Sequence, residues 1–195
     1  TEMTPIQAKA LPLLLKGGDL IGHAKTGSGK TAAFGLGILN KIQPESSALQ
    51  ALVLCPTREL AEQVAAELRR LAQRLANTRI VTLCGGVNNR EQILALRRGC
   101  HIVVGTPGRV GKHLRGGALD LDDVSILVLD EADRMLDMGF IVPVIDIVAY
   151  CPKDRQSMLF SATFPKEIEK LSDEVLVRPT LVAVDAQVEV DKLQQ

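Results

Sequence analysis

Between Leu20-Ile21 and the helix-forming run Ala32-Ala33-Phe34-Gly35-Leu36 stand eight residues that leave this chain few ways to fold: Ala24-Lys25-Thr26-Gly27-Ser28-Gly29-Lys30-Thr31. Gly27 and Gly29 permit a tight turn, and such a turn between a strand and a helix aims successive backbone N–H groups at one point. The helix N-terminus adds its partial positive charge at the same place, so the stretch is a ready cradle for phosphate. Lys30 is placed to reach β- and γ-phosphates, and the Thr31 hydroxyl to ligate Mg²⁺. The pattern G-x-x-x-x-G-K-[ST] has Ala24 where its first glycine stands. A small residue preserves the room, and we read a variant phosphate loop rather than a glycine-rich turn before an ordinary helix.

A strand that feeds such a loop needs neighbours, and the rest of the chain supplies them. Short apolar runs recur at 19–22, 51–55, 80–83, 101–105, 126–129, 158–160 and 181–184, with helical segments between them. They are continuous rather than alternating, as strands covered on both faces of a parallel sheet must be. Residues 59–75 carry Leu60, Val64, Leu68, Leu71 and Leu75 at helical spacing, which predicts an amphipathic helix. The expectation is an α/β protein with one open, mostly parallel sheet of about seven strands, in a domain over 1–184. Residues 185–195 lack a pattern and read as a linker or tail. The 195 residues suffice for one well-buried domain, and with aromatics at 3% its core must be aliphatic. The four cysteines, Cys55, Cys84, Cys100 and Cys151, are far apart and form no C-x-x-C pair, so buried reduced thiols are expected rather than zinc or disulfides. No run approaches membrane-spanning length and no leader pattern is visible, which predicts a cytoplasmic protein without membrane attachment. Lys plus Arg and Asp plus Glu both number 23, so no overall field draws this chain to nucleic acid. Local phosphate contacts through amides and a few arginines remain open.

Ligands of open parallel sheets sit outside the carboxyl ends of the strands. Six polar clusters follow six of the predicted strands: the phosphate loop, Pro56-Thr57-Arg58-Glu59, Gly85-Gly86, Thr106-Pro107-Gly108-Arg109, Asp130-Glu131-Ala132-Asp133 and Ser161-Ala162-Thr163. Asp130, at the end of a buried strand, is placed to hold Mg²⁺ beside Thr31, and Glu131 is the better general base toward an attacking water. The bland reading of this acidic pair is a helix N-terminus. Thr4-Pro5-Ile6-Gln7 offers an amide whose donor and acceptor match the N7/N6 edge of adenine, although a solvated Gln at a helix start is the local default. Asn40-Lys41-Ile42-Gln43 lacks the Asp of a guanine reader, which favours adenine.

Taken in order over residues 4–163, these seven motifs resemble those of DEAD-box RNA helicases. Residues 24–39, 51–71, 82–86 and 130–140 further resemble the bacterial DbpA branch, which acts on large-subunit ribosomal RNA. The resemblance implies the N-terminal lobe, of three-layer α/β/α RecA-like fold, of an ATP-dependent RNA helicase working with Mg²⁺, and a role in ribosome assembly. It implies that Gln7 reads adenine and that Lys30, Asp130 and Glu131 carry hydrolysis. Pro56, Thr57, Arg58, Gly86, Thr106, Pro107, Gly108 and Arg109 would hold the RNA backbone. Ser161, Ala162 and Thr163 would couple nucleotide state to RNA, with Asp133 bridging the motifs. Bland alternatives stand beside these: Thr57, Thr106 and Thr163 as helix caps, Pro107-Gly108 as a turn, Arg109 as a surface cation. Arg69, Arg70, Arg74, Arg97 and Arg98 read as solvated helix faces. The resemblance also implies partners outside this sequence: a second RecA-like lobe with arginine fingers, an aromatic upstream of Gln7, and a C-terminal RNA-binding module. Absent arginine fingers cost about 10³–10⁵ in related phosphoryl transfer, so feeble hydrolysis by this lobe alone is expected. The rival functions are a non-catalytic nucleotide-dependent binding module for RNA or protein, and a DNA-directed motor on the same fold.

Overall fold

Seven short apolar strands pair into a single sheet, wholly parallel rather than mostly so, in the order Ile80–Leu83 (β3), Ile102–Gly105 (β4), Ala51–Leu54 (β2), Ile126–Leu129 (β5), Gln156–Ser161 (β6), Leu20–His23 (β1) and Thr180–Ala183 (β7). The computed structural model describes residues 2–75 and 77–184; the tail expected at 185–195 lies outside them. Along the chain the elements are α1 (Pro5–Lys16), β1 (Leu20–His23), α2 (Lys30–Leu39), β2 (Ala51–Leu54), α3 (Arg58–Leu71), β3 (Ile80–Leu83), α4 (Asn89–Arg97), β4 (Ile102–Gly105), α5 (Pro107–Arg115), β5 (Ile126–Leu129), α6 (Ala132–Asp137), α7 (Ile141–Val148), β6 (Gln156–Ser161), α8 (Lys166–Val175) and β7 (Thr180–Ala183).

The continuous apolar runs have the physical cause expected of them. Every residue of β2, β4, β5 and β6 is buried. Successive side chains point to opposite faces of a strand, so each strand feeds two cores. Ala51 and Val53 join Ile6, Leu14, Phe34 and Leu68 under α1, α2 and α3. Leu52 and Leu54 join Val110, Met135, Ile147 and Ile168 under α4 to α8. The result is three layers. In β1 a side chain would break this packing: a Cβ on Gly22 would sit 2.3 Å from the Phe160 ring, which itself packs against Phe34 at 5.4 Å between centroids.

Most strand ends shift by one or two residues from the apolar runs, β6 at both ends (Gln156–Ser161 against 158–160), and two further boundaries show a physical cause. The α-helix predicted over 59–75 ends at Leu71 and tightens into a 3₁₀ turn at Ala72–Arg74, leaving Leu75 exposed. Asp19, counted with the first strand by hydropathy, precedes it. Its buried carboxylate accepts from the Ser157 N–H at 2.7 Å and the Val177 N–H at 2.6 Å, tying the starts of β6 and β7 to β1. All four cysteines are free and buried. Among the described residues no helix is long and apolar enough to cross a membrane.

Candidate functional site

Because every strand runs the same way, all six polar clusters emerge on one edge of the sheet. The strand order sorts them into two groups. The loops after β5, β6 and β1 carry the acidic pair, Ser161 to Thr163 and the phosphate loop; those after β3, β4 and β2 carry Gly86, Thr106 to Arg109 and Pro56 to Arg58. Four strand spacings separate β4 from β1, about 19 Å. The structure does not bring the second group to the phosphate loop.

The loop itself turns as its glycines require. Gly27 has φ +81° and Gly29 φ +91°. A Cβ at Gly29 would also lie 2.7 Å from both Gln7 Nε2 and Thr4 Oγ1, so this position admits no side chain on either ground. Ala24, in place of the usual glycine, is buried and donates its N–H to Ser161 O at 3.1 Å. α2 then begins at Lys30, and Thr31, its second residue, is half-buried. Gln7 is turned onto this loop: Nε2 donates to Gly29 O at 3.1 Å, and Oε1 accepts the Thr4 N–H at 3.0 Å.

Lys30, although charged, is only 4% exposed, and Asp130 is fully buried. The ammonium lies 3.0 Å from Asp130 Oδ1 and 3.8 Å from Glu131 Oε1. The 3.0 Å approach makes Lys30 the ion-pair partner of Asp130, whose oxygens otherwise lack well-aligned donors among the described residues. Burial pushes the Asp130 carboxyl up, and the Lys30 ammonium only partly offsets it. Glu131 takes the left-handed conformation, φ +53° and ψ +56°, an arrangement that costs a residue with a side chain about 1–2 kcal/mol. It stands at the N-cap of α6 but makes no cap bond; its Oε1 accepts instead from the Thr26 hydroxyl at 2.7 Å, and Arg134 approaches Oε2 at 3.6 Å. The acidic pair does stand at a helix N-terminus, as the bland reading has it, but the Glu131 carboxylate makes no cap bond and is turned to Thr26 instead. Cys55 lies behind the pair, and burial with Asp130 nearby pushes its thiol well above the ordinary range.

A buried carboxylate with spare acceptor capacity, beside a lysine and a helix N-terminus, suits a hard cation carried in with phosphate. No cluster of three or more His, Cys, Asp or Glu forms a metal cage among the described residues. Mg²⁺ does not need one, since it keeps waters and binds through one or two carboxylates plus phosphate oxygens. The donor set of Asp130 and Thr31 fits that ion.

Asp133 ties the next cluster together. Its Oδ2 accepts from the Ala162 N–H (3.2 Å), the Thr163 N–H (3.0 Å) and the Thr163 hydroxyl (3.1 Å), while its own N–H donates to Ser161 Oγ at 3.1 Å. Thr163 is thus no cap for α8, whose N-cap is Pro165. In the other group, Thr57 does cap α3, accepting the Leu60 N–H at 3.2 Å, whereas Thr106 precedes α5 without a cap bond. Pro56 and Pro107 are buried and Gly108 is exposed. The Arg58 guanidinium lies so near Gly86 that a Cβ there would be 3.1 Å from Nη1. Arg109 is half-buried and turned in by one nitrogen, Nη1 to Val87 O at 3.2 Å. The five arginines read as solvated are exposed, Arg70 pairing with Glu67 at 2.7 Å.

A family model described as DEAD/DEAH box helicase matches residues 4–171. ATP-dependent RNA helicase DbpA of Escherichia coli (strain K12) is 54% identical over 184 residues, 94% of this chain and 40% of the relative. DEAD-box ATP-dependent RNA helicase CshA of Geobacillus kaustophilus is 47% identical over 195 residues, all of this chain and 42% of the relative. The chain therefore spans less than half the length of these relatives. Among solved structures, a DEAD box protein from Methanococcus jannaschii superposes with a TM-score of 0.90 at 40% identity, covering 95% of this chain and 50% of that one. A hypothetical ATP-dependent RNA helicase from Sulfolobus tokodaii gives 0.85 at 37% identity, covering 94% and 53%.

Proposed function

The chain belongs to the DEAD/DEAH box helicase family, and from that premise we propose that it is the nucleotide-binding lobe of an ATP-dependent RNA helicase. The observation that carries the reading is the Lys30–Asp130–Glu131 cluster, in which a buried carboxylate ion-paired to an ammonium and a second carboxylate on a left-handed backbone stand together at a phosphate loop. Lys30 would neutralise the β- and γ-phosphates. Thr31 and Asp130 would hold Mg²⁺, which when bound adds charge neutralisation that these side chains alone lack. Glu131, held by Thr26, would orient the attacking water and take its proton. Gln7 would meet adenine with whatever hydrogen-bonding capacity its contacts to Thr4 and Gly29 leave.

The group after β2, β3 and β4 would grip single-stranded RNA by its backbone, with Arg58, Gly86, Thr106 and Arg109 as the contacts. A second RecA-like lobe, from the part of the protein outside this match, would close over both groups, and bending one strand would expel its partner. Asp133 with Ser161 and Thr163 would report nucleotide state to that interface. Likeness to the DbpA branch supports a ribosomal RNA target in ribosome assembly, and the buried free thiols suit a cytoplasmic setting.

RNA-stimulated ATP turnover by the intact protein, with nucleotide binding measured in the same preparation, tests the reading. Lys30→Ala should lose nucleotide, and Glu131→Gln should keep it while turnover stops. ATP-dependent RNA binding with no turnover in the unaltered protein would instead favour a non-catalytic module, and equal activity on DNA of the same sequence a DNA motor.

A further inference from the structure

Gln92 is a neutral amide on α4, 4% exposed, that no step of the proposed function uses. Its Nε2 donates to Cys84 O at 2.9 Å, the carbonyl just before the Gly85-Gly86 turn. Its Oε1 accepts from Arg109 Nη1 at 3.1 Å and from His113 Nε2 at 2.8 Å. Two donors face the oxygen and a carbonyl faces the nitrogen, so a flipped amide would set donor against donor and the orientation is fixed. His113 is fixed with it. The ring is 2% exposed and donates through Nε2, and burial, with Arg109 and Lys112 nearby, pushes its pKa down.

We infer that Gln92, braced by His113, is the positioning residue that holds Arg109 and the Gly85-Gly86 turn as one RNA-backbone clamp. The inference rests on the proposed RNA grip and adds residues that no motif of that grip contains. Its physical ground is the use made of Arg109. Among the described residues its hydrogen bonds all run through Nη1, to Val87 O, Asn89 Oδ1 and Gln92 Oε1, leaving Nε and Nη2 for a phosphate. Among the described residues no carboxylate lies within 4.0 Å of the guanidinium. A half-buried cation anchored by neutral acceptors keeps its whole charge for an anion, which a carboxylate in the place of Gln92 would cancel. The amide also spans two strand ends, β3 through Cys84 and β4 through Arg109, so a single side chain sets the separation of two contacts.

The test measures affinity for a single-stranded RNA across a salt series in the intact protein, with nucleotide affinity and melting temperature measured alongside. Gln92→Leu should weaken RNA binding about tenfold and lower the salt slope by about 0.7, the value of one phosphate contact on a single strand, while nucleotide affinity without RNA stays unchanged. Arg109→Ala should do the same, and the double variant should be no weaker than either alone. Should Gln92→Leu fail to fold, Gln92→Asn keeps the buried amide but is one methylene too short to span the gap, and should weaken binding in the same direction. Unchanged RNA affinity and slope in both Gln92 variants, or losses that add in full to that of Arg109→Ala, would overturn the positioning role. RNA binding indifferent to Arg109→Ala itself would overturn the grip on which the inference rests, and is distinguishable because the Gln92 variants then have no contact to act through.

Discussion

Removing Lys30 while keeping its volume tests whether the site is built at the expense of the fold. In Lys30→Met two buried carboxylates, Asp130 at 0% and Glu131 at 7% exposure, lose the cation that stands 3.0 and 3.8 Å from them. Breaking a buried pair by deleting one partner costs about 3–5 kcal/mol. The lower figure applies here, because the variant also escapes the cost of burying the ammonium. About 3 kcal/mol corresponds to a melting-temperature loss of about 6–12 °C for a domain of this size. The loss should depend on pH, with a definite sign. Burial already holds the Asp130 carboxyl above its ordinary 3.8 despite Lys30, and without Lys30 it must rise further. As pH climbs through that window the unfolded chain gives up its proton first, so the folded state loses stability with rising pH, over a wider range in the variant. Urea unfolding should therefore show a small deficit near pH 4.5 and the full one at pH 8, and Lys30→Met/Asp130→Asn should recover most of it. A deficit equal at both pH values, or untouched by the second substitution, would refute the account of Asp130 as a charge held by Lys30.

Thr26→Val keeps the shape of the loop but removes the 2.7 Å hydrogen bond to Glu131; if Glu131 is the proposed base, RNA-stimulated kcat should fall about tenfold with nucleotide affinity unchanged, as for a lost donor that orients a reacting group. Gly22→Ala places a methyl 2.3 Å from the Phe160 ring. It should cost about 1–3 kcal/mol in denaturant unfolding, and Phe160→Leu in the same chain should return part of that. All four thiols are buried, with Cys100 and Cys151 each pushed up to about 11. A thiol reagent at pH 8 should thus modify none in the folded protein and all four once urea unfolds it; rapid reaction before unfolding would show that the core opens.

What could be read from the sequence, and what could not, divides by range. The four central strands were legible because a strand buried on both faces is apolar almost throughout, as at Ile126 to Leu129, whereas β1, β3 and β7 are only partly buried and were read from their apolar runs alone. The site's location followed, since a parallel sheet puts all its strand ends on one edge. Hydropathy failed at Asp19, where a carboxylate serving two distant amides is worth more than a place in the strand. The finer chemistry was beyond local reading. Gln7 was visible as an amide, but not its commitment to Gly29, 22 residues away. Thr26 and Glu131 are 105 residues apart, and nothing near either announces the bond or the left-handed backbone that aims the carboxylate. Gln92 carries no motif at all; only the fold shows that Cys84, Arg109 and His113 meet on it.

The edge that holds both groups is itself stitched by the backbone. Ala24 donates to Ser161 O (3.1 Å), Asp130 to Leu54 O (3.0 Å), Cys55 to Gly105 O (2.9 Å) and Thr106 to Leu83 O (3.0 Å), so the ladder continues past the last paired residues of the strands. Beneath it β2, β4, β5 and β6 are wholly buried, and packed interiors of this kind do not deform gradually. Nucleotide at the loop after β1 therefore has no soft path through the sheet to the arginines after β2 and β4. On the proposed function the signal must travel outside it, through a body that rests on both groups at once and is drawn in when phosphate arrives. The Asp133–Ser161–Thr163 knot is suited to feel such a body, because Thr163 is exposed while Ser161 is buried and its carbonyl is bonded to the first residue of the phosphate loop. On that reading a rigid lobe with two separate grips would work as an anvil: the energy of nucleotide binding would go into moving what closes on it, and the proposed RNA contacts would stay where the fold put them.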